Sequence, residues 1–463
     1  MATVVRITEV IDRARLSGLQ NRIFAICCLL TFADGVNSLS IGYAIPSLAG
    51  KFGTSAAVFS IVVMVTLIGQ IVAEFVLVPL ADVVGRRRVM RYGILLYSVV
   101  TMLCLFATSV PELAVLRFFS GLGIGAAVPT CAALGAEFSP TRLKATIQTI
   151  LSVGAAGGGM VIGFIASVLV PHLGGSALLF VAGALPLILL LATWTLVPES
   201  VEFLARKGNH AGVARLLRRI DPGKSYPDEA TYLADEDHRH GGGLGVLFRD
   251  GYAGRTLLVW FMLFFALFTS FFIFSFLPEL LTRAGVGESA AAVATSIASL
   301  GGIVGGISLG VLMDRLPPKS AMIALGPLLS IAAVVLLMLN LSTGAVDGLV
   351  ILLCFFYGFG TLGSASAVTA LAALVYPTTI RAMGLGWANG FATIGGLFGP
   401  ALGGALIAAG LSTPRILAIS LTAVVAVGVL AVVFRVVELR RLRRAPDTAG
   451  LSPRTGTEEE IIR

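Results

Sequence analysis

Val78-Pro-Leu-Ala-Asp82-Val-Val-Gly85-Arg86-Arg87-Arg88 joins an apolar run to a basic one. Upstream, residues 57–81 are long and apolar enough to cross a bilayer as a helix. Downstream, a second such run begins at residue 92. The polar residues between them therefore read as a short turn joining two membrane spans. Gly85 permits the turn. Asp82 can cap the next helix or pair with an arginine. The arginines belong on the cytoplasmic side of a membrane.

The same pattern repeats in both directions along the chain. Spans are predicted at 23–49, 57–81, 92–110, 113–137, 147–170 and 175–197, and again at 256–282, 289–313, 320–341, 346–375, 383–410 and 413–436. Of the 463 residues 57% are hydrophobic and 13% charged, with a mean hydropathy of +0.94. Soluble domains carry about 25% charged residues, so a soluble enzyme, a disulfide-stapled secreted domain and a disordered chain are excluded. Cys27, Cys28, Cys104, Cys131 and Cys354 lie inside apolar runs and show no disulfide or metal spacing. The first apolar run leads straight into further spans and is read as a span rather than a cleavable signal. The fold class is all-α integral membrane, with twelve transmembrane helices in two pseudo-symmetric six-helix bundles. The expected divisions are a bundle at 1–197, a cytoplasmic central loop at 198–255, a second bundle at 256–436 and a cytoplasmic tail at 437–463. The central loop reads as a tether, with at best a short basic amphipathic helix at Ala211–Ile220.

Charge gives the orientation. Loops on the side of the termini hold 29 Lys and Arg, and the opposite loops only Lys51, Arg283 and Arg415. That bias puts both termini and the central loop in the cytoplasm; the expected location is the plasma membrane. The net charge of +8 is thereby accounted for without nucleic acid. Sequence echoes give the duplication: Leu80-Ala81-Asp82 ends span 2 and Leu312-Met313-Asp314 ends span 8, 232 positions later, while Pro140 and Pro377 follow spans 4 and 10 at an offset of 237. Parallel repeats of this kind characterise secondary transporters, which bind substrate near the midplane between the halves.

The Val78–Arg88 stretch, Pro198-Glu199-Ser200 after span 6, and Leu116-Arg117 with Gly121, Gly123 and Gly125 in span 4 together resemble the motifs of the major facilitator superfamily. Asp34-Gly-Val-Asn37-Ser-Leu-Ser-Ile-Gly42-Tyr-Ala-Ile-Pro46 is similar to span 1 of its aromatic acid:proton symporter branch. So are Tyr376-Pro377 through Arg381, Gly384, Gly386-Trp387 and Gly399-Pro400. The resemblance implies a proton-driven transporter. It also implies that Asp82, Gly85, Arg86 and Arg87, joined by Glu137 and Arg142, form a cytoplasmic gate that latches the outward-open state. Two positions depart from the branch. Asn37 stands where a second acid is usual, and Thr393 where an arginine is usual.

Ionisable residues inside a span are functional candidates because they are costly there. Asp34 lies 12 residues beyond Arg22, about 18 Å along a helix and so near mid-membrane. A carboxyl held between desolvation and a nearby cation can load and release a proton; the alternative is a structural ion pair with Arg117. Asn37 shares the face of Asp34. Arg117 is the one deep cation and suits a substrate carboxylate, or else pairs with Asp34 or Glu112. Glu74, eight residues before Asp82, is a second proton site, a cation contact or a neutral acid bonded to a neighbouring helix. The second bundle offers neutral groups: Tyr357, Ser364, Trp387, Asn389 and Thr393.

Gly154/Gly158, Gly301/Gly305 and Gly395/Gly399/Gly403 make small-residue faces that read as packing where the halves rock. Span 5 lacks the proline of the Gly-Pro-x-x-Gly-Gly run that marks drug/proton antiporters. Asp235-Glu-Asp-His238-Arg-His240 reads as a solvated charge run rather than a metal site. No phosphate-binding loop is present, which disfavours ATP-driven transport. The expectation is a transporter, not an enzyme. It has no cofactor other than a proton gradient, no metal, and as partners a small-molecule substrate, protons and the lipid bilayer; it acts as a monomer. Proton-coupled uptake of a small organic anion, an aromatic carboxylate, is the leading reading. Asp34 and Glu74 serve proton coupling, and Asn37, Arg117, Tyr357, Trp387, Asn389 and Thr393 the substrate. The rival is proton antiport exporting a neutral or cationic amphiphile.

Overall fold

A computed structural model describes residues 4–140, 143–233, 244–249, 252–315, 323–342, 348–376 and 381–444. The chain divides into two compact units, Met1–Arg239 and His240–Arg463. The first begins with a strand, β1 (Val4–Arg6), and a helix, α1 (Ile7–Arg13). Six long helices follow: α2 (Gly18–Phe52), α3 (Phe59–Val84), α4 (Arg86–Leu103), α5 (Val110–Glu137), α6 (Lys144–Leu173) and α7 (Ser176–Leu196). Short helices α8 (Val201–Arg206) and α9 (His210–Ile220) and strand β2 (Thr231–Leu233) complete it. The second unit holds α10 (Ala253–Arg283), α11 (Glu288–Arg315), α12 (Leu325–Ser342), α13 (Gly348–Val375), α14 (Arg381–Ala408) and α15 (Thr413–Arg444).

Among the described residues, eleven helices are long and apolar enough to cross a membrane. The described part of the ninth predicted span, Leu325–Leu341, is a shorter apolar helix. The helices start where polar side chains replace missing backbone partners. Ser17 Oγ accepts from Gln20 N at 3.3 Å while Gln20 Oε1 accepts from Ser17 N at 2.9 Å, opening α2. Gly53, in the left-handed region at φ 61°, closes it.

The internal repeat is visible as repeated packing. In the first unit α2 lies against α6, α3 against α5, and α4 against α7. In the second, α10 lies against α14, α11 against α13, and α12 against α15. Each pair in one unit has its counterpart eight helices later. Glycine makes the α2–α6 approach so close that a Cβ on Gly35 would strike the Ala155 carbonyl, and one on Gly158 the Phe32 carbonyl. The α10–α14 pair repeats this, with Gly395 on the Phe264 carbonyl and Gly399 on that of Phe268. These small-residue faces thus bind helices of a single unit, which corrects their assignment to a surface between halves. Periodicity gave the stripe but not its partner.

The central segment also differs from a plain tether. Helix α9 buries Val213, Leu217 and Ile220 with Ile7 and Ile11 of α1, and with Ile23, Cys27 and Leu134 of the long helices. Strand β2 pairs in parallel with β1, Val4 opposite Thr231 and Arg6 opposite Leu233. The Tyr226 hydroxyl donates to Asp221 Oδ2 at 3.1 Å. Burial first, then Asp221, pushes its pKa up to about 12, so it stays a donor. An apolar stripe on an 11-residue helix needs a surface to cover, and the first unit supplies one. The Asp235–His240 run lies outside the described residues.

Candidate functional site

Three groups of polar or aromatic side chains stand out, two in the first unit and one in the second. The deepest lies between α2 and α5. Arg117 Nη1 donates to Asn37 Oδ1 at 2.9 Å, and the two residues are 1% and 0% exposed. No carboxylate lies within ion-pairing distance of Arg117 among the described residues. Arg117 Nε and Asn37 Nδ2 are buried without a partner there. Buried donors are nearly always satisfied, so two open ones side by side mark a place built for an acceptor. Asp34 stands one turn from Asn37, accepts from Ser38 Oγ at 3.1 Å and is within electrostatic reach of Arg117. Glu112 is not the partner of Arg117. Its carboxylate turns back to accept from Thr108 N and Oγ1, both at 2.9 Å, at the start of α5. Glu74 is half-buried on α3 with no hydrogen bond or ion pair among the described residues.

The second group gathers around the α3–α4 turn. Gly85 sits at φ 115°, and a Cβ there would lie 2.7 Å from Glu199 Oε2. That carboxylate takes the place a side chain would need: Glu199 Oε1 accepts from Arg87 N at 2.9 Å and Ser200 N at 3.0 Å. Arg86 pairs with Glu137 and reaches to 3.8 Å from Glu202 Oε2. Ser200 Oγ donates to Glu137 Oε2 at 2.6 Å and accepts from Phe203 N at 3.0 Å, capping α8. The turn is thereby tied to the ends of α5, α7 and α8. Gly85, Arg86, Arg87 and Glu137 come together as the sequence suggests. Arg142 lies outside the described residues, as does the side chain of Asp82. Glu199, Ser200 and Glu202 were missed as members. The Pro198-Glu199-Ser200 run after the sixth apolar stretch was the signal for the first two, and Glu202 lies two residues beyond it.

The third group is aromatic. Trp387 of α14, 46% exposed, stacks on Trp260 of α10 with ring centroids 6.5 Å apart and 16° between planes. Phe391 lies 5.5 Å from Trp260. Asn389 is exposed and Thr393 half-buried, the Thr393 hydroxyl donating to the Asn389 carbonyl at 3.0 Å. Tyr357 is fully buried, its hydroxyl 3.2 Å from Ser420 Oγ of α15, and Ser364 bonds to its own helix at Gly360. Trp387 thus presents an open ring, whereas Tyr357 stands inside the helix packing. Trp260 is the member the sequence did not single out; its distance from Trp387 along the chain concealed the stack.

A model of the major facilitator superfamily matches residues 27–367 and 259–461. A gallate transporter of Pseudomonas putida is 32% identical over 89% of this chain and 90% of its own length. The 4-hydroxybenzoate transporter PcaK of Acinetobacter baylyi is 31% identical over 86% and 87%. In fold, the chain is similar to a D-xylose-proton symporter, with a TM-score of 0.67 at 16% identity over 89% of this chain and 97% of that one. With a matching family model, relatives that align nearly end to end and the repeated six-helix packing, this multi-pass membrane chain belongs to the major facilitator superfamily.

Proposed function

We propose that the protein takes up a small aromatic carboxylate together with a proton, by alternating access across the plasma membrane with both termini in the cytoplasm. The buried Arg117 carries the reading. It holds a full positive charge away from water with one neutral partner and an open Nε, and such a cation calls for an anion. A carboxylate fits its planar donor fork. Asp34 is the proton carrier. Once neutralised, it leaves Arg117 as the single charge nearby and favours the anion; once ionised, it competes with the anion and promotes release. The names of the gallate and 4-hydroxybenzoate relatives support an aromatic acid. The open ring of Trp387 suits such a substrate's apolar face, and Asn389 and Thr393, one turn apart on another face of the same helix, are offered for ring hydroxyls. The cluster around Gly85, Arg86, Arg87 and Glu137 is the latch that holds one state closed. No cofactor is needed beyond the proton gradient, and one chain suffices.

Uptake of labelled benzoates into proteoliposomes tests this, with and without an inward proton gradient. Gradient-driven accumulation in the wild type that is lost in Asp34→Asn is the expected result. No uptake of any aromatic acid would overturn it. Glu74 favours a second reading, proton antiport of a cationic amphiphile, because an unpartnered carboxyl within a span can hold a cation. Extrusion that survives in Glu74→Gln would remove its basis.

A further inference from the structure

Helices α4 and α7 pack together, and at the end where α7 stops their surface is strongly basic. Arg87 and Arg91 are one turn apart on α4 and both reach across to α7. Arg87 Nη2 donates to the Trp194 carbonyl at 2.7 Å, and Arg91 Nη2 to the Thr193 carbonyl at 2.6 Å. The Arg91 guanidinium also lies 4.8 Å from the centre of the Trp194 ring, and that ring is 61% exposed. Both arginines keep a buried Nε without a partner among the described residues. Arg88 is exposed one position along. Arg87 and Arg91 share one nearby carboxylate, Glu199, whose Oε1 is already bonded to two backbone N–H groups. Arg86, by contrast, is engaged by Glu137 and Glu202. Below the basic end, the outward faces of the two helices are apolar, with Leu95 and Leu191 exposed.

We propose that Arg87, Arg91 and Trp194 form a binding site for the phosphate headgroup of an anionic phospholipid, its acyl chains lying along the exposed faces of α4 and α7. The arginines' bonds to the α7 carbonyls fix the guanidinium planes in advance, so a phosphate meets oriented donors. Trp194 sits two residues from the end of α7, where an amphipathic ring marks headgroup depth. Basic pockets between membrane helices recognise anionic headgroups by this combination of charge and depth. The surplus charge here excludes a zwitterionic lipid as the preferred occupant.

Trp194 is its own reporter. A Trp260→Phe/Trp387→Phe protein retains it as the sole tryptophan and can be reconstituted in phosphatidylcholine containing a small fraction of brominated phosphatidylglycerol. Quenching of Trp194 should exceed that of the same fraction of brominated phosphatidylcholine severalfold. The excess should fall about fivefold with Arg87→Gln or Arg91→Gln, the ~1 kcal/mol that one basic residue contributes at an anionic surface. Arg91→Lys, which keeps the charge, should retain most of it. Equal quenching by the two lipids in the Trp194-only protein would overturn the proposal, whatever the arginine variants do. So would relief of the excess by millimolar inorganic phosphate but not by chloride at the same ionic strength, since the site would then belong to the free ion.

Discussion

The two units pack their six long helices in the same pairs, yet their interiors carry different chemistry. Between α2 and α5 the first unit buries a guanidinium, with a carboxyl one turn from its partner. Among the described residues, the matching helices of the second unit, α10 and α13, show no arginine–asparagine bond of this kind. There the notable group is a set of rings on α10 and α14. Duplication therefore preserved what holds helices together, the glycine-backbone contacts, and let the polar positions diverge. The first unit thus carries the buried charge and the second the open ring.

The largest expected effect falls on the charged half. Arg117→Gln should lower kcat/KM for uptake about 30-fold or more, because truncating a buried hydrogen-bonded charge costs about 2–5 kcal/mol. Ser364→Ala, in the second unit, should leave uptake near wild type. Equal losses in the two would break the division of labour. Next come the shared contacts. Gly158→Leu and Gly395→Leu each push a side chain into a neighbouring backbone, and overpacking costs about 1–3 kcal/mol. Thermal unfolding in detergent should show similar losses for both; a loss in one alone would mean that the packing repeat is not energetic. Trp387→Ala should raise KM about fivefold, matching about 1 kcal/mol for an aromatic contact, with kcat little changed. Trp387→Phe should restore most of it. The smallest effect is structural. Ser200→Ala removes the cap of α8 and the bond to Glu137, for a stability loss of about 1 kcal/mol with uptake retained at moderate temperature.

The fold was legible because a membrane span writes itself as a continuous apolar run, and the positive-inside bias adds an orientation. The ninth span was the hardest to match, since only its later part, Leu325–Leu341, is described. The candidate site was legible in its members but not in its bonds. Spacing put Asn37 on the face of Asp34, but it could not show that Asn37, rather than either acid, is the group bonded to Arg117 80 residues on. A local pattern likewise could not reveal that Glu199 fills the space Gly85 leaves, because 114 residues separate them. The stacked Trp260 and Trp387 were hidden for the same reason. Tertiary partners at such separations leave no periodic trace.

The parallel pairing of β1 with β2 sets an order on biosynthesis. Val4 must wait for Thr231, 227 residues later. At roughly 5–20 residues per second of synthesis, that is about 10–45 s, during which α2 to α7 emerge before the N-terminal strand has a partner. Closure of this strand pair is therefore a completion signal for the first unit. It can form once that unit's helices have been made, before α10 is synthesised.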